Sequence, residues 1–233
     1  MAKRIGNALF IHGAGGGGWE WAVWSRVFAA AGIAVAAPDL QPAAAGLAGT
    51  GLSDYSAQVR QAASALPAPR VLVGASLGGL LALIDGDLAD ALVLVNPLPP
   101  APWHAAMPVR GAYPDIVPWR REASLAGTRR ALPDADAAAC LFAFRHWRDE
   151  SGTVLNEATA GIAVAAPRCP VLVIASSRDD DVPPALSLQL AQAFSAQAIE
   201  LPEASHAGPL LGKRAASIAA LSVAWLNGLS RYQ

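Results

Sequence analysis

Short runs of aliphatic and β-branched residues recur along the chain without polar alternation: NALFIH at 7–12, GIAVAAP at 32–38, RVLVG at 70–74, ALVLVN at 91–96 and PVLVIA at 170–175, with a weaker QAIEL at 197–201. A strand wet on one face alternates apolar with polar positions, so unbroken runs predict strands covered on both faces, as in a parallel sheet between helical layers. Residues 19–32, 54–66, 184–195 and 213–228 carry apolar positions at helical spacing, several of them ended by glycine. This alternation predicts an α/β fold, a doubly wound and mostly parallel sheet of about six strands, with ligands bound outside the carboxyl ends of the strands. The first run lies so near the start of the chain that no antiparallel hairpin is expected before it.

The alternation breaks between Asn96 and Cys169, where NPLPPAPWHAAMPVRGAYPDIVPWRR precedes helical patterns near 121–131 and 134–147. A structureless loop of that length is improbable in a compact domain. Residues 97–169 are therefore expected to form a mainly helical cap on a core made of 1–96 and 170–233. The 233 residues suffice for one domain with its own core.

Seventeen Lys and Arg against eighteen Asp and Glu leave a net charge of -1, which offers no electrostatic footprint for nucleic acid or an anionic membrane. Cys140 and Cys169 lack the paired spacing of zinc or redox motifs and are expected as buried free thiols. The apolar run near the N-terminus is too short for a signal sequence, and no run reaches the roughly 18 apolar residues of a membrane span. These features predict a soluble, cytoplasmic protein.

Gly74-Ala75-Ser76-Leu77-Gly78 fits G-x-S-x-G, with a strand before it and a helix-compatible LGGLLALI after it. A serine on so sharp a strand-to-helix turn needs glycine on both sides, because side chains there would strike neighbouring backbone. Its hydroxyl needs a base, and the base an orienting carboxylate. Of the four histidines, His12 is expected to hold the glycine loop, and His104 and His146 to be surface or packing groups of the cap. His206, in LPEASHAGPLLGK after the last predicted strand, is the expected base. The acid is sought in ASSRDDDVPP, after the fifth strong strand. There Asp179 is preferred, with Asp180 and Asp181 as alternatives, giving the chain order Ser, Asp, His.

HGAGGGGW at 12–19 leaves the first strand and enters the first helix, so its glycines let backbone amides approach a reacting centre. The amides of Ala14 and Leu77 are the expected oxyanion donors, a kind of contact typically worth about 100- to 1000-fold in rate. The loop lacks G-x-G-x-x-G with a following ribose-binding acid and lacks the Gly-Lys-Ser/Thr of a phosphate loop, which argues against nucleotide.

HGAGGGGWEW, PDLQPAAAG, DYS at 54–56, GASLGG and SHAGPLLGK together resemble the α/β-hydrolase superfamily, and within it the branch of plant methyl esterases and hydroxynitrile lyases. The resemblance implies Ser76 as nucleophile, His206 as base, Asp179 as acid and the Ala14 and Leu77 amides as oxyanion donors. Hydroxynitrile lyases of this branch carry lysine directly after the catalytic histidine; Ala207 stands there. Ser205 stands where the family often has aspartate. Trp103, Trp119, Phe142, Phe144 and Trp147 fall in the cap, either packing it to the core or lining an apolar pocket, with the first three and Trp147 the candidates for pocket wall. The expected function is cleavage of small apolar carboxylic esters through an acyl-enzyme, with a small-molecule substrate and no metal or organic cofactor. A thioesterase, lactonase, C–C hydrolase or hydroxynitrile lyase, or a ligand receptor without turnover, stays open.

Overall fold

The computed structural model describes residues 4–229. Six parallel strands form the central sheet: β1 (Asn7–Ile11), β2 (Ala34–Ala36), β3 (Arg70–Ala75), β4 (Ala91–Val95), and, beyond the insertion, two more at Val171–Ser176 and Gln197–Leu201. The insertion carries a two-stranded antiparallel pair, β5 (Ile116–Val117) and β6 (Glu150–Ser151), so the last two core strands are β7 and β8. The order across the sheet is β2-β1-β3-β4-β7-β8.

Each strand feeds two cores. Ala8 and Phe10, Val71 and Val73, Val93 and Val95, and Leu172 and Ile174 face one side. Leu9 and Ile11, Leu72, Leu92 and Leu94, and Val171 and Val173 face the other. That two-sided demand is why the strands read as unbroken apolar runs. The first side is covered by α1 (Ala22–Ala30), α8 (Gly208–Leu211) and α9 (Ala215–Leu229), the second by α2 (Leu52–Ala65), α3 (Leu77–Ile84) and α7 (Pro184–Ala193).

The insertion holds α4 (Leu125–Ala131), α5 (Ala137–His146) and α6 (Gly152–Ala160). Ser124, Asp136 and Ser151 cap them, accepting hydrogen bonds from Gly127, Ala139 and Val154 amides at 3.0, 2.8 and 3.2 Å. These caps explain why the helices start later than the apolar spacing suggests: an N-cap residue takes extended backbone and closes the first turn with its side chain. Helix α6 joins the second core through Val154 and Ala158. Helices α4 and α5 share a small core, Leu132, Cys140 and Ala143, against which Trp19, Trp147, Ala207 and Leu211 pack. The insertion is thus not wholly helical, and Cys169 is half-buried, where a buried thiol was expected; Cys140 is buried, and both are free. The β5–β6 pair escapes sequence reading because two-residue strands are too short to show a period. No helix among the described residues is long and apolar enough to cross a membrane.

Beside β1, Phe10 stacks on Trp21 at 4.9 Å, and Phe28 meets Phe10 edge-on at 5.0 Å and stacks on Trp24 at 5.9 Å. Phe28 is wholly buried. Phe28→Ala should therefore cost about 3–5 kcal/mol of stability, read as a lower urea midpoint at unchanged slope.

Candidate active site

Ser76 lies between β3 and α3 with φ 53° and ψ -120°, a left-handed conformation that costs a non-glycine residue on the order of 1–3 kcal/mol. Neighbouring backbone holds it there. Its amide donates to the Val95 carbonyl at 3.0 Å, and its own carbonyl accepts from Gly79 and Leu98 amides at 2.9 Å each. The flanking glycines are steric necessities: a Cβ at Gly78 would run into the Ile11 carbonyl, and one at Gly74 into the Gly78 carbonyl. Parallel register pairs Gly74 with Ile11 and Leu94, so the turn leaves the sheet where β1 and β4 also end.

At the end of β7 the chain turns through 177–183, and of the three aspartates only Asp179 is buried. Its Oδ1 accepts from the Asp181 and Val182 amides at 2.9 and 2.8 Å, and its Oδ2 lies 2.7 Å from His206 Nδ1. Asp180 and Asp181 are exposed; Asp181 pairs with Arg110 at 3.4 Å. The His206 side chain is 18% exposed. Burial by itself lowers the imidazole, but the hydrogen bond and charge of Asp179, with Asp181 and Glu20 nearby, outweigh it and hold His206 above its ordinary 6.5. Asn96, buried at the end of β4 with φ 44°, donates through Nδ2 to the His206 carbonyl at 2.7 Å and to Ser176 Oγ at 2.9 Å. Asn96 directly follows Val95, the residue that accepts the Ser76 amide. The two loops are therefore tied to adjacent residues of one strand end, although Ser76 Oγ and His206 do not hydrogen-bond to each other in this structure.

The glycine loop passes beside Ser76, with a Cβ position on Gly13 only 3.3 Å from Ser76 Cβ. The Gly13 amide donates to Glu20 Oε2 at 3.2 Å, and the Gly15 amide to Glu150 Oε2 at 2.9 Å. The Gly13 carbonyl lies 2.8 Å from His12 Nδ1 and accepts the Gly16 amide at 3.2 Å. His12 Nε2 accepts the Leu40 amide at 2.9 Å, so the ring is neutral with its proton on Nδ1; burial pushes its pKa down to about 4. Among the described residues, the amides of Ala14 and Leu77 donate to no protein atom.

Glu20 is buried beneath this loop. Burial pushes its carboxyl up to about 8, against the opposing pull of the Gly13 amide and His206, so the group is largely neutral at pH 7.

Of the aromatic residues considered for a pocket wall, Trp119 has its ring against Gly15, 2.5 Å from a Cβ position there, and is 40% exposed. Trp103 packs edge-on to Phe194 at 5.8 Å, near the core. Phe142 and Trp147 surround Trp19 at 5.7 and 5.3 Å, joining the insertion to the glycine loop, while Phe144 is half-buried. His146 lies against Phe142 with ring centroids 4.1 Å apart and the planes tilted by 31°, and His104 rests on Gly161. Sequence reasoning passed over four polar residues that surround these loops: Glu20, Asn96, Asp134 and Glu150. A charge between two tryptophans in WEW and an amide ending an apolar strand were signals for the first two. Asp134 and Glu150 offered none, because their partners lie 71 and 135 residues away.

The overall likeness to solved structures is broad. A methylesterase from Arabidopsis superposes with a TM-score of 0.70 at 16% identity, over 94% of this chain and 98% of that one. A pyrethroid hydrolase from Sphingobium faniae does so with 0.70 at 20% identity, over 98% and 100%. Methylketone synthase I of tomato, complexed with β-ketoheptanoate, gives 0.72 at 18%, over the whole of both chains. At such identities the likeness establishes the fold. No curated protein matches the chain significantly. The sequence profile of the alpha/beta hydrolase family matches residues 8–221, nearly the full length, and the chain belongs to that family.

Proposed function

We propose that this protein is a serine hydrolase that cleaves small apolar carboxylic esters. The observation that carries the reading is the 2.7 Å bond between His206 Nδ1 and buried Asp179, held next to a serine in a strained turn. In the reaction, His206 Nε2 takes the Ser76 proton as Oγ attacks the ester carbonyl. Asp179 accepts the hydrogen bond from Nδ1–H and stabilises the imidazolium that forms. The Ala14 and Leu77 amides, both free of protein acceptors, hold the tetrahedral oxyanion. His206 then gives its proton to the departing alcohol, and water, deprotonated by His206, releases the acid from Ser76. The Ser76–His206 bond forms when substrate closes the site, as such contacts commonly tighten only in the complex. Trp119, its ring beside the oxyanion loop, favours a small apolar substrate. Ala207, lacking a charge for a cyanide leaving group, disfavours lyase chemistry.

Ser76→Ala and His206→Ala should each lower turnover of p-nitrophenyl acetate about a thousandfold or more. A parent with no turnover across a panel of esters, thioesters and lactones, yet retaining ligand binding, would instead identify a receptor.

The pH dependence has two limbs. His206 must be neutral to act as base, and its raised pKa places the acid limb above 6.5. Glu20 must be neutral as well, since a carboxylate bound to the Gly13 amide, one residue before Ala14, opposes an oxyanion. As pH rises through about 8, Glu20 ionises and activity falls. Glu20→Gln should abolish the alkaline limb in kcat/KM for an uncharged ester, while an acid limb set chiefly by Asp179 persists. An identical profile in the variant counts against this role.

A further inference from the structure

Three consecutive peptide units of the glycine loop are each tied down. A trans peptide is planar, with its carbonyl and amide pointing in opposite directions. The unit joining residues 13 and 14 is held by its carbonyl, which engages the His12 ring and the Gly16 amide, so the Ala14 N–H is aimed the other way. The unit before it is held by Glu20 through the Gly13 amide, and the unit after it by Glu150 through the Gly15 amide.

Glu150 comes from the insertion and is 3% exposed. Besides the Gly15 amide it accepts from Tyr55 Oη at 2.7 Å and the Ser151 amide at 2.8 Å. Burial and the adjacent Glu150 raise the Tyr55 hydroxyl above its ordinary range, so it stays a donor. The Arg148 amide completes the clasp by donating to the Gly15 carbonyl at 2.8 Å.

A second acid of the insertion holds the other loop. Asp134, in the turn between α4 and α5, accepts Ser205 Oγ–H at 2.6 Å and the Ser205 amide at 3.1 Å, while its carbonyl accepts the Lys213 amide at 3.1 Å. Ser205 immediately precedes His206. From these contacts we infer that the insertion assembles the reaction centre: Glu150 and Asp134 are positioning residues, the first aligning the Ala14 amide and the second the His206 ring. This rests on the ester-hydrolase reading above.

The test compares Glu150→Gln, Asp134→Asn and, as a control in the same insertion, Ser124→Ala, whose side chain caps α4 and hydrogen-bonds to neither loop. Glutamine at 150 has one acceptor oxygen for three donors and turns an NH2 toward them. With folding confirmed by circular dichroism, Glu150→Gln should lower kcat for p-nitrophenyl acetate by about tenfold or more, with KM within about threefold and the acid limb unmoved. Asp134→Asn should lower kcat similarly and move the acid limb to lower pH, because a looser His206–Asp179 bond removes part of what raises the imidazole. Ser124→Ala should match the parent. If a carboxyl variant fails to fold, the milder Tyr55→Phe and Ser205→Ala should show the same effects in the same order at smaller size. Folded carboxyl variants with kcat within twofold of the parent, or with only KM raised, overturn the inference. A parent without turnover would refute the ester reading alone. The proton resonances of the Gly15 amide and His206 Nδ1 then decide the inference: they should shift in Glu150→Gln and Asp134→Asn respectively, and unshifted signals overturn it.

Discussion

An amide proton can be aimed by holding the carbonyl at the other end of its own peptide unit, and the glycine loop is built on that geometry. The Gly13 carbonyl is engaged twice, by His12 and by Gly16, and this directs the next amide outward from the loop. The arrangement needs His12 neutral, with its proton on the nitrogen that faces Gly13. Deep burial supplies that condition by making the charged ring costly. It also needs backbone without side chains in its way, which is why glycines crowd here and at the turn carrying Ser76.

The charge pattern around the loops follows from the same burial. Two carboxyls accept the amides on either side of Ala14, yet their surroundings differ. Glu150 has three donors around its two oxygens. Among the described residues the Gly13 amide alone donates to Glu20, and burial keeps its proton on it near neutral pH. One carboxyl is embedded among three donors and the other is held uncharged near neutral pH, so the two brace neighbouring peptide units in different ways.

Position along the chain and position in space part company at the insertion. It is joined to the sheet between β4 and β7, but its contacts reach the loops after β1 and β8. Trp147 and Phe142 surround Trp19, Glu150 reaches Gly15, and Asp134 reaches Ser205. The hydroxyl of Ser205, directly before the histidine, finds its carboxylate on the insertion.

The sheet, its direction and the sharp turn at Ser76 were legible in the linear sequence, because they depend on local rules. Two-sided burial makes strands uniformly apolar, and a turn with φ of 53° demands glycine at 74 and 78. The short β5–β6 pair was not legible, since two residues carry no periodicity. Among three adjacent aspartates local pattern favoured Asp179 but left its neighbours open, and the path of the loop at the end of β7 is what turns Asp179 inward to His206. The bracing of Ala14 by Glu20 and Glu150, and of Ser205 by Asp134, was decided by tertiary structure alone. A hydrogen bond between residues 71 or 135 positions apart leaves no periodic trace, and a carboxyl's partners and protonation follow from what folding packs around it.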